Sequence, residues 1–404
     1  MACDSDDHPG LSRRPWLAAP LLAPFLALLP PGAAARAAPA GQGQRVAQGV
    51  RGFADRMLRE AGTGAAPRVF SPYNLYCTLG LLGLGATGAT AAAFSTAMGL
   101  PAGRDSLAAA LAAARGMAGR ATTAYSAWST PARGFEPAWR TLARGALAPR
   151  LGQLDFASPQ AAETINRWAS AATRGEIPSV VDQLPADTEL LLAGAIHFAG
   201  EWAQRFDPAA TAPGAFRRAD GTSVQVPMMR LDGRVAYGMR DGAHVIRLPY
   251  AGGQMAIWVA TALEPAESRA VLSRIAAQGA TAWLAGVTLE QVRCAVRLPK
   301  MSLTAGGDML DAVRRAGFAT ALAGDFSAIT GRPARIGQIA HQARIRVDEA
   351  GTVAAAATAI GATRSMEEAR EFSADRPFLF VLGPVSPALP LFAGMVDDPS
   401  GGGA

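Results

Sequence analysis

One lysine, three cysteines and four histidines are all that 404 residues carry of those types, and each shortage closes off a class of chemistry. No CxxC pair and no Cys/His cluster occurs, so no zinc site is expected. The histidines are His8, His197, His244 and His341, and none sits in an HExxH or serine-nucleophile setting. The glycine-rich stretches lack the lysine of a phosphate-binding loop. A hydrolase or metalloenzyme reading therefore finds no residues to work with, and no cofactor is expected. Dense Lys/Arg runs are missing as well. The formal charge of +6 comes from scattered arginines, which read as a solvated basic surface and not as a footprint for nucleic acid or heparin. The apolar run from Trp16 to Leu29 is too short to span a bilayer and is broken by Pro20 and Pro24.

What is present is a chain that is 50% hydrophobic, enough to bury a substantial core. Residues 1–37 resemble an export signal: Arg13 and Arg14 precede the apolar run, and Ala33-x-Ala35 and Ala35-x-Ala37 offer cleavage sites. The paired arginines suit a twin-arginine address, with a general secretory signal as the alternative. Removing it takes Cys3 away and leaves Cys77 and Cys294, expected as buried free thiols. Residues 38–404 read as one domain without internal repeats. Val46, Val50, Phe53, Met57 and Leu58 predict an amphipathic helix over 44–60. Ser71 as N-cap and Pro72 as first residue predict a second helix, apolar all round and so central. A third starts at Gly88, a fourth covers 106–118, and a fifth 136–147. Strands are expected at 122–129, 151–156 and 190–198. Helices interleaved with long strands make the fold class α+β.

The stretch with the most to say runs from Asp348 to Met366. Two acids lead into Gly351 and Thr352, four alanines follow (Ala354, Ala355, Ala356 and Ala357), and the lone Arg364 precedes Ser365. On a strand period Thr352, Ala354, Ala356, Thr358 and Ile360 share one small face. Such a segment suits two states, an exposed loop or a strand slipped between two others. Upstream stands the alternating strand 339–347, and downstream Phe372-Ser373-Ala374-Asp375-Arg376-Pro377-Phe378.

With these flanks, the run Asp-Glu-x-Gly-Thr-x-Ala-Ala-Ala-Ala-Thr closely resembles the hinge of the serpin family, the serine protease inhibitors. Asn166-Arg167-Trp168, Gly200-Glu201-Trp202, Phe206-Asp207-Pro208 and Leu298-Pro299-Lys300 resemble further serpin motifs in serpin order, so the likeness covers about 44–400. It points to an exported, inhibitory, bacterial member.

The resemblance implies three β-sheets, about nine helices and an exposed reactive-centre loop at about 349–371. It implies no catalytic group, but a suicide inhibitor whose cleaved loop inserts into the central sheet and traps an acyl-enzyme. The implied partner is a trypsin-like or subtilisin-like serine protease held covalently by a monomer, with no nucleic acid and no membrane span, in a secreted or periplasmic setting. The alternative is a non-inhibitory serpin that binds or supports. The hinge maps onto Glu349, Gly351, Thr352 and Ala354 to Ala357, its ion pair onto Lys300 and Glu349, and the top of the sheet, the breach, onto Trp202. The polar latch that relatives place where the sheet opens maps onto Ser71 and His341. The family's asparagine position is held by Gly194. Asn74, one turn after Ser71, is the expected substitute, giving a latch of Ser71, Asn74 and His341. The reactive bond is expected at Arg364–Ser365, with Ser365–Met366 as runner-up by the family's spacing.

Overall fold

Apolar residues recurring at the helical period set where the helices form, and at the second of them a capping serine also marks the start. The computed structural model describes residues 41–64, 68–351 and 369–400. Helix α1 (Gln42–Gly62) buries Val46, Val50, Phe53, Met57 and Leu58, the stripe expected from the 3.6-residue period. Helix α2 (Pro72–Gly83) starts at Pro72, and the Ser71 side chain accepts from the Asn74 backbone N–H. All twelve of its residues are buried, so it runs through the molecule and not along its surface. Helices α3 (Gly88–Met98), α4 (Arg104–Arg115), α5 (Pro137–Ala146) and α6 (Gln160–Ala172) follow.

The strands in chain order are β1 (Val69–Phe70), β2 (Thr122–Ser129), β3 (Arg150–Gln153), β4 (Leu190–Phe198), β5 (Ala212–Arg217), β6 (Ser223–Arg240) and β7 (Ala243–Pro249). Then come β8 (Met255–Ala262), β9 (Glu290–Pro299), β10 (Met301–Asp308), β11 (Ile336–Val347), β12 (Arg370–Ser373), β13 (Phe378–Pro384) and β14 (Phe392–Val396). The strand expected over 151–156 stops at Gln153. There the Asp155 side chain accepts from the Ala157 N–H and its carbonyl from the Ser158 N–H, a turn that ends the ladder.

Five strands form one sheet in the order β10-β11-β4-β2-β3. Nine form the other, along β1-β14-β13-β8-β7-β6-β9-β12 with β5 beside β6. The long β6 is shared: its early residues pair with β5, its middle ones with β9 and its last ones with β7. Two of the three sheets implied by the family are thus continuous through one strand.

Strand β4 is buried on both faces, which accounts for its nearly unbroken apolar sequence. Leu190, Leu192, Ile196 and Phe198 enter the main core with α1 and α2. Leu191, Ala193 and Ala195 enter a smaller core with Ile165 and Ala169 of α6 and with Ile177, Val180 and Val181. One sheet therefore has a packed layer on each side.

Candidate functional site at a parallel strand junction

The five-stranded sheet has an inhomogeneity at its centre. Strands β11 and β4 run parallel, in register from Ile336↔Leu190 to Ile345↔Phe198. Their outer neighbours, β10 on one side and β2 on the other, are antiparallel to them. Parallel pairing is slightly less stable per residue, and the residues that meet here include Ala193, Gly194, Ala195, Ala340 and Ala343. Side-chain packing along this seam is correspondingly thin.

Beneath the seam lies the latch. His341 is fully buried and its register partner is Gly194. The Ser71 backbone N–H donates to His341 Nε2 at 3.0 Å, so that nitrogen carries a lone pair and the proton sits on Nδ1. Nδ1–H then donates to Asn74 Oδ1 at 3.2 Å. The Asn74 Nδ2 donates in turn to the Ala195 carbonyl at 3.2 Å. One amide therefore reaches from β11 to β4 and spans the seam. The Ser71 hydroxyl caps α2, accepting from the Asn74 N–H at 3.0 Å, so it is the serine's backbone and not its hydroxyl that bonds the histidine. Burial pushes the His341 imidazole down to about 3, so the ring is neutral in ordinary buffers.

Gly194 follows from the same geometry. A Cβ there would lie 2.3 Å from Asn74 Oδ1 and 2.5 Å from Thr78 Oγ1. With the amide rising from the helix, the strand has no room for a side chain.

At the end of β11 the chain is gripped before it leaves the sheet. The Trp202 indole N–H donates to the Asp348 carbonyl at 2.8 Å, and its backbone N–H to the Ala350 carbonyl at 3.1 Å. The indole stacks on Tyr250 with centroids 4.4 Å apart. Gly351 forms a bridge with Glu201 and has φ of 119°. A Cβ at Gly351 would lie 2.3 Å from the Gly200 carbonyl oxygen, so both backbone angle and space demand glycine.

Glu349 is held by three contacts. Its carboxylate accepts from Lys300 Nζ at 2.9 Å and from the Thr211 hydroxyl at 2.9 Å, and its carbonyl accepts from the Phe206 N–H at 3.0 Å. Burial disfavours its charge, but the hydrogen bonds, that from Lys300 foremost, outweigh this and leave the carboxyl below its ordinary range. Lys300 is the single residue between β9 and β10, where the chain passes from the larger sheet into the smaller. Its carboxylate partner sits two residues beyond β11, so the ion pair closes the end of the five-stranded sheet.

The family model described as "Serpin (serine protease inhibitor)" matches residues 49–399. The chain belongs to the serpin family. Among curated proteins, this serpin is 30% identical over 403 residues to a putative serpin-Z5 of rice (Oryza sativa subsp. japonica), covering 87% of this chain and 90% of the relative. It is 31% identical over 245 residues to the alpha-2-antiplasmin of cattle (Bos taurus), where the match covers 59% of this chain and 48% of the relative. The first curated relatives, from Methanosarcina, are likewise matched over only 57% and 60% of their length. The fold is that of solved serpins. The crystal structure of Serpin48 from the insect Tenebrio molitor superposes with a TM-score of 0.78 at 23% identity, covering 88% of this chain and 98% of that one. AtSerpin1 of Arabidopsis, described in a native stressed conformation, gives 0.77 at 24% identity, with 89% and 98% covered.

Of the residues singled out in the sequence, Ser71, Asn74 and His341 meet in one hydrogen-bonded group, and Lys300, Glu349, Gly351 and Trp202 meet at the end of β11. Thr352, Ala354, Ala355, Ala356, Ala357, Arg364, Ser365 and Met366 lie outside the described residues, as does the stretch 1–37 expected to be an export signal. Cys77 and Cys294 are separate, buried, unpaired thiols, each with its pKa raised by burial first of all, to about 12 and about 11. Among the described residues no group of His, Cys, Asp and Glu could hold a metal, and no helix is long and apolar enough to cross a membrane. The Thr211 contact to Glu349 escaped the sequence reading, because only the folded chain brings these positions together. His197 and Glu176 escaped it too, since only the fold sets the carboxylate beside the imidazole.

Proposed function

We propose that this serpin is a suicide inhibitor of a serine protease outside the cytoplasm. The protease attacks the loop beyond Gly351 as if it were substrate. After cleavage, residues from Thr352 onward enter the five-stranded sheet between β11 and β4, and the acyl-enzyme is dragged along and distorted.

The observation that carries this reading is the parallel seam itself. A segment leaving the end of β11 and folding back would run antiparallel to β11 and also to β4, converting one parallel junction into two antiparallel ones. Small residues at Ala354 to Ala357 suit passage between the strands. About a dozen new ladder hydrogen bonds at about 1 kcal/mol net each would add on the order of 10 kcal/mol, comparable to the stability of a whole domain. Arg364 is the side chain for the primary pocket of a trypsin-like enzyme, whose base carries an acid. Cleavage at Ser365–Met366 would instead suit a subtilisin-like enzyme. In this reading the inhibitor acts as an exported monomer and supplies no catalytic group; the serine that reacts belongs to the protease.

Incubation with a panel of serine proteases tests this. An SDS-stable covalent band is expected, with release of a C-terminal fragment that begins at Ser365. A fragment beginning at Met366 hands the bond to the runner-up. Clean cleavage with no covalent band from any protease would leave a non-inhibitory serpin whose loop is only a substrate.

A further inference from the structure

The latch at Asn74 secures the seam from the side of α2. The opposite side carries a second fastening, built from residues outside the latch and the hinge. After α6 the chain crosses this face as a strap, residues 173–189, before entering β4 at Leu190. Ile177, Val180 and Val181 of the strap pack onto Leu191, Ala193, Ala195 and Ala340, so the strap lies over both strands that flank the seam. Its course is fixed from α6. Asn166 Oδ1 accepts from the Val180 and Val181 N–H groups at 2.8 and 3.0 Å, and Asn166 Nδ2 donates to the Val181 carbonyl at 2.8 Å.

One position of the strap reaches back to β11. Arg344 Nη1 donates to the Glu176 carbonyl oxygen at 2.6 Å and lies 3.5 Å from the Glu176 carboxylate. The same carboxylate is 3.9 Å from Nε2 of His197. His197 is the register partner of Arg344 across the seam, so the carboxylate sits above the one cross-seam pair in this register with an ionisable side chain from each strand. At 3.9 Å the histidine contact is not a hydrogen bond, and the arginine provides the tie.

We propose that Glu176 and Arg344 form a clasp that binds the strap to β11 and holds the seam shut from the face opposite the latch. The proposal rests on the insertion reading above, since it concerns the rate at which the seam opens. For a strand to enter, β11 must move away from β4. The strap continues into β4, so Arg344 must release Glu176 as that gap widens. Glu176 and Arg344 are positioning residues: they touch no substrate and act only through the strands they hold. The pair is partly exposed, with side chains 43% and 32% accessible. Its effect is therefore moderate, about fivefold on an opening rate and not orders of magnitude.

The test uses the intact protein and a synthetic peptide with the sequence of residues 349–362, offered in excess as a surrogate strand. Uptake is followed by the rise in melting temperature and by native electrophoresis. Glu176→Gln is isosteric and removes only the charge; Arg344→Met keeps the aliphatic stem and removes the whole tie. Arg344→Met is expected to take up peptide about fivefold faster than the parent and Glu176→Gln about twofold faster, since the backbone hydrogen bond survives in it, with the double variant no faster than Arg344→Met alone. Arg167→Gln breaks the exposed Glu163 pair on α6 and is the control, expected to leave the rate unchanged. Unchanged uptake in both single variants, with the parent accepting peptide normally, overturns the clasp and leaves the inhibitor reading intact. No uptake and no stabilisation in the parent overturns the insertion reading and the clasp with it.

Discussion

The two sheets of this serpin are built on opposite principles. At the centre of the larger one, β13, β8 and β7 are joined by antiparallel ladders in which Phe378, Phe380 and Leu382 meet Ile257, Val259 and Thr261. Several of these pairs join two large apolar side chains, Phe380 with Val259 and Leu382 with Ile257 among them, and van der Waals contact holds them. At the centre of the smaller one, β11 and β4 meet in a parallel ladder with Ala340, Ala343, Ala193 and Gly194, and polar bolts span or flank it. Uniform packing resists separation everywhere at once. A seam fastened at a few hydrogen bonds holds firmly until those are lost and then parts along its length. That is the property the proposed insertion requires of one sheet and not of the other.

Thr352→Arg bears on the comparison most severely. A charged residue leading the loop could not enter the sheet unpaired without a large desolvation cost. The variant is expected to be cleaved at the normal rate while forming essentially no covalent complex, as read by stoichiometry of inhibition. Covalent complex at the parental stoichiometry would mean that the seam is not where the loop goes.

Asn74→Ala comes next, because it strands a buried histidine N–H and the Ala195 carbonyl together. The expected loss is about 3 kcal/mol in denaturant unfolding. Gly194→Asn should be similarly damaging alone, yet partly rescued by Asn74→Ser, which vacates the space its amide would need. Additive losses in that pair would contradict the account of Gly194.

The latch should also leave a mark on pH dependence. His341 has a folded pKa of about 3 against an ordinary value near 6.5, so the unfolded chain takes up the proton first. Its contribution is complete above about pH 6.5 and falls as pH drops through the window down to about 3. Relative to a His341→Gln variant, the parent should lose roughly 2 kcal/mol between pH 7 and pH 5. A constant difference between the two across that range would mean that the ring is not held neutral.

The smallest effect is expected at the end of the sheet. Glu349→Lys sets an ammonium against Lys300 and removes the acceptor for Thr211, and it should cost about 1–2 kcal/mol. It should promote polymers on mild heating, read by size-exclusion chromatography. An unchanged elution profile would show that the ion pair plays no part in closing the sheet.

How much of this was legible beforehand differs by residue. Ser71 and Pro72 announce their helix by local chemistry, and α2 begins where they say. Asn74 and His341 lie far apart in sequence, and the resemblance to the family's polar latch is what brought them together, with the need of buried polar groups for partners pointing to Asn74 once Gly194 left the asparagine position empty. The glycine at Gly194 was visible as a gap in a pattern, but its cause, an amide rising from the helix, is a distance and not a motif. Glu176 was invisible, because one acid on an irregular strap looks like any surface acid until β11 is seen beneath it. Thr211 and the end of β3 were hidden for related reasons: a tertiary contact in the first case, a turn made by Asp155 in the second.

The claim that matters most is that the cleaved loop becomes a strand between β11 and β4. It is tested by thermal unfolding of the serpin before and after the loop is nicked by a protease it does not trap, followed by near-ultraviolet circular dichroism. The account predicts a sharp rise in melting temperature, since an added stabilisation on the order of 10 kcal/mol, set against an unfolding entropy of about 2.1 cal/mol/K per residue, corresponds to roughly 13 °C in a domain of this size. A nicked protein that melts at or below the temperature of the intact one would contradict it.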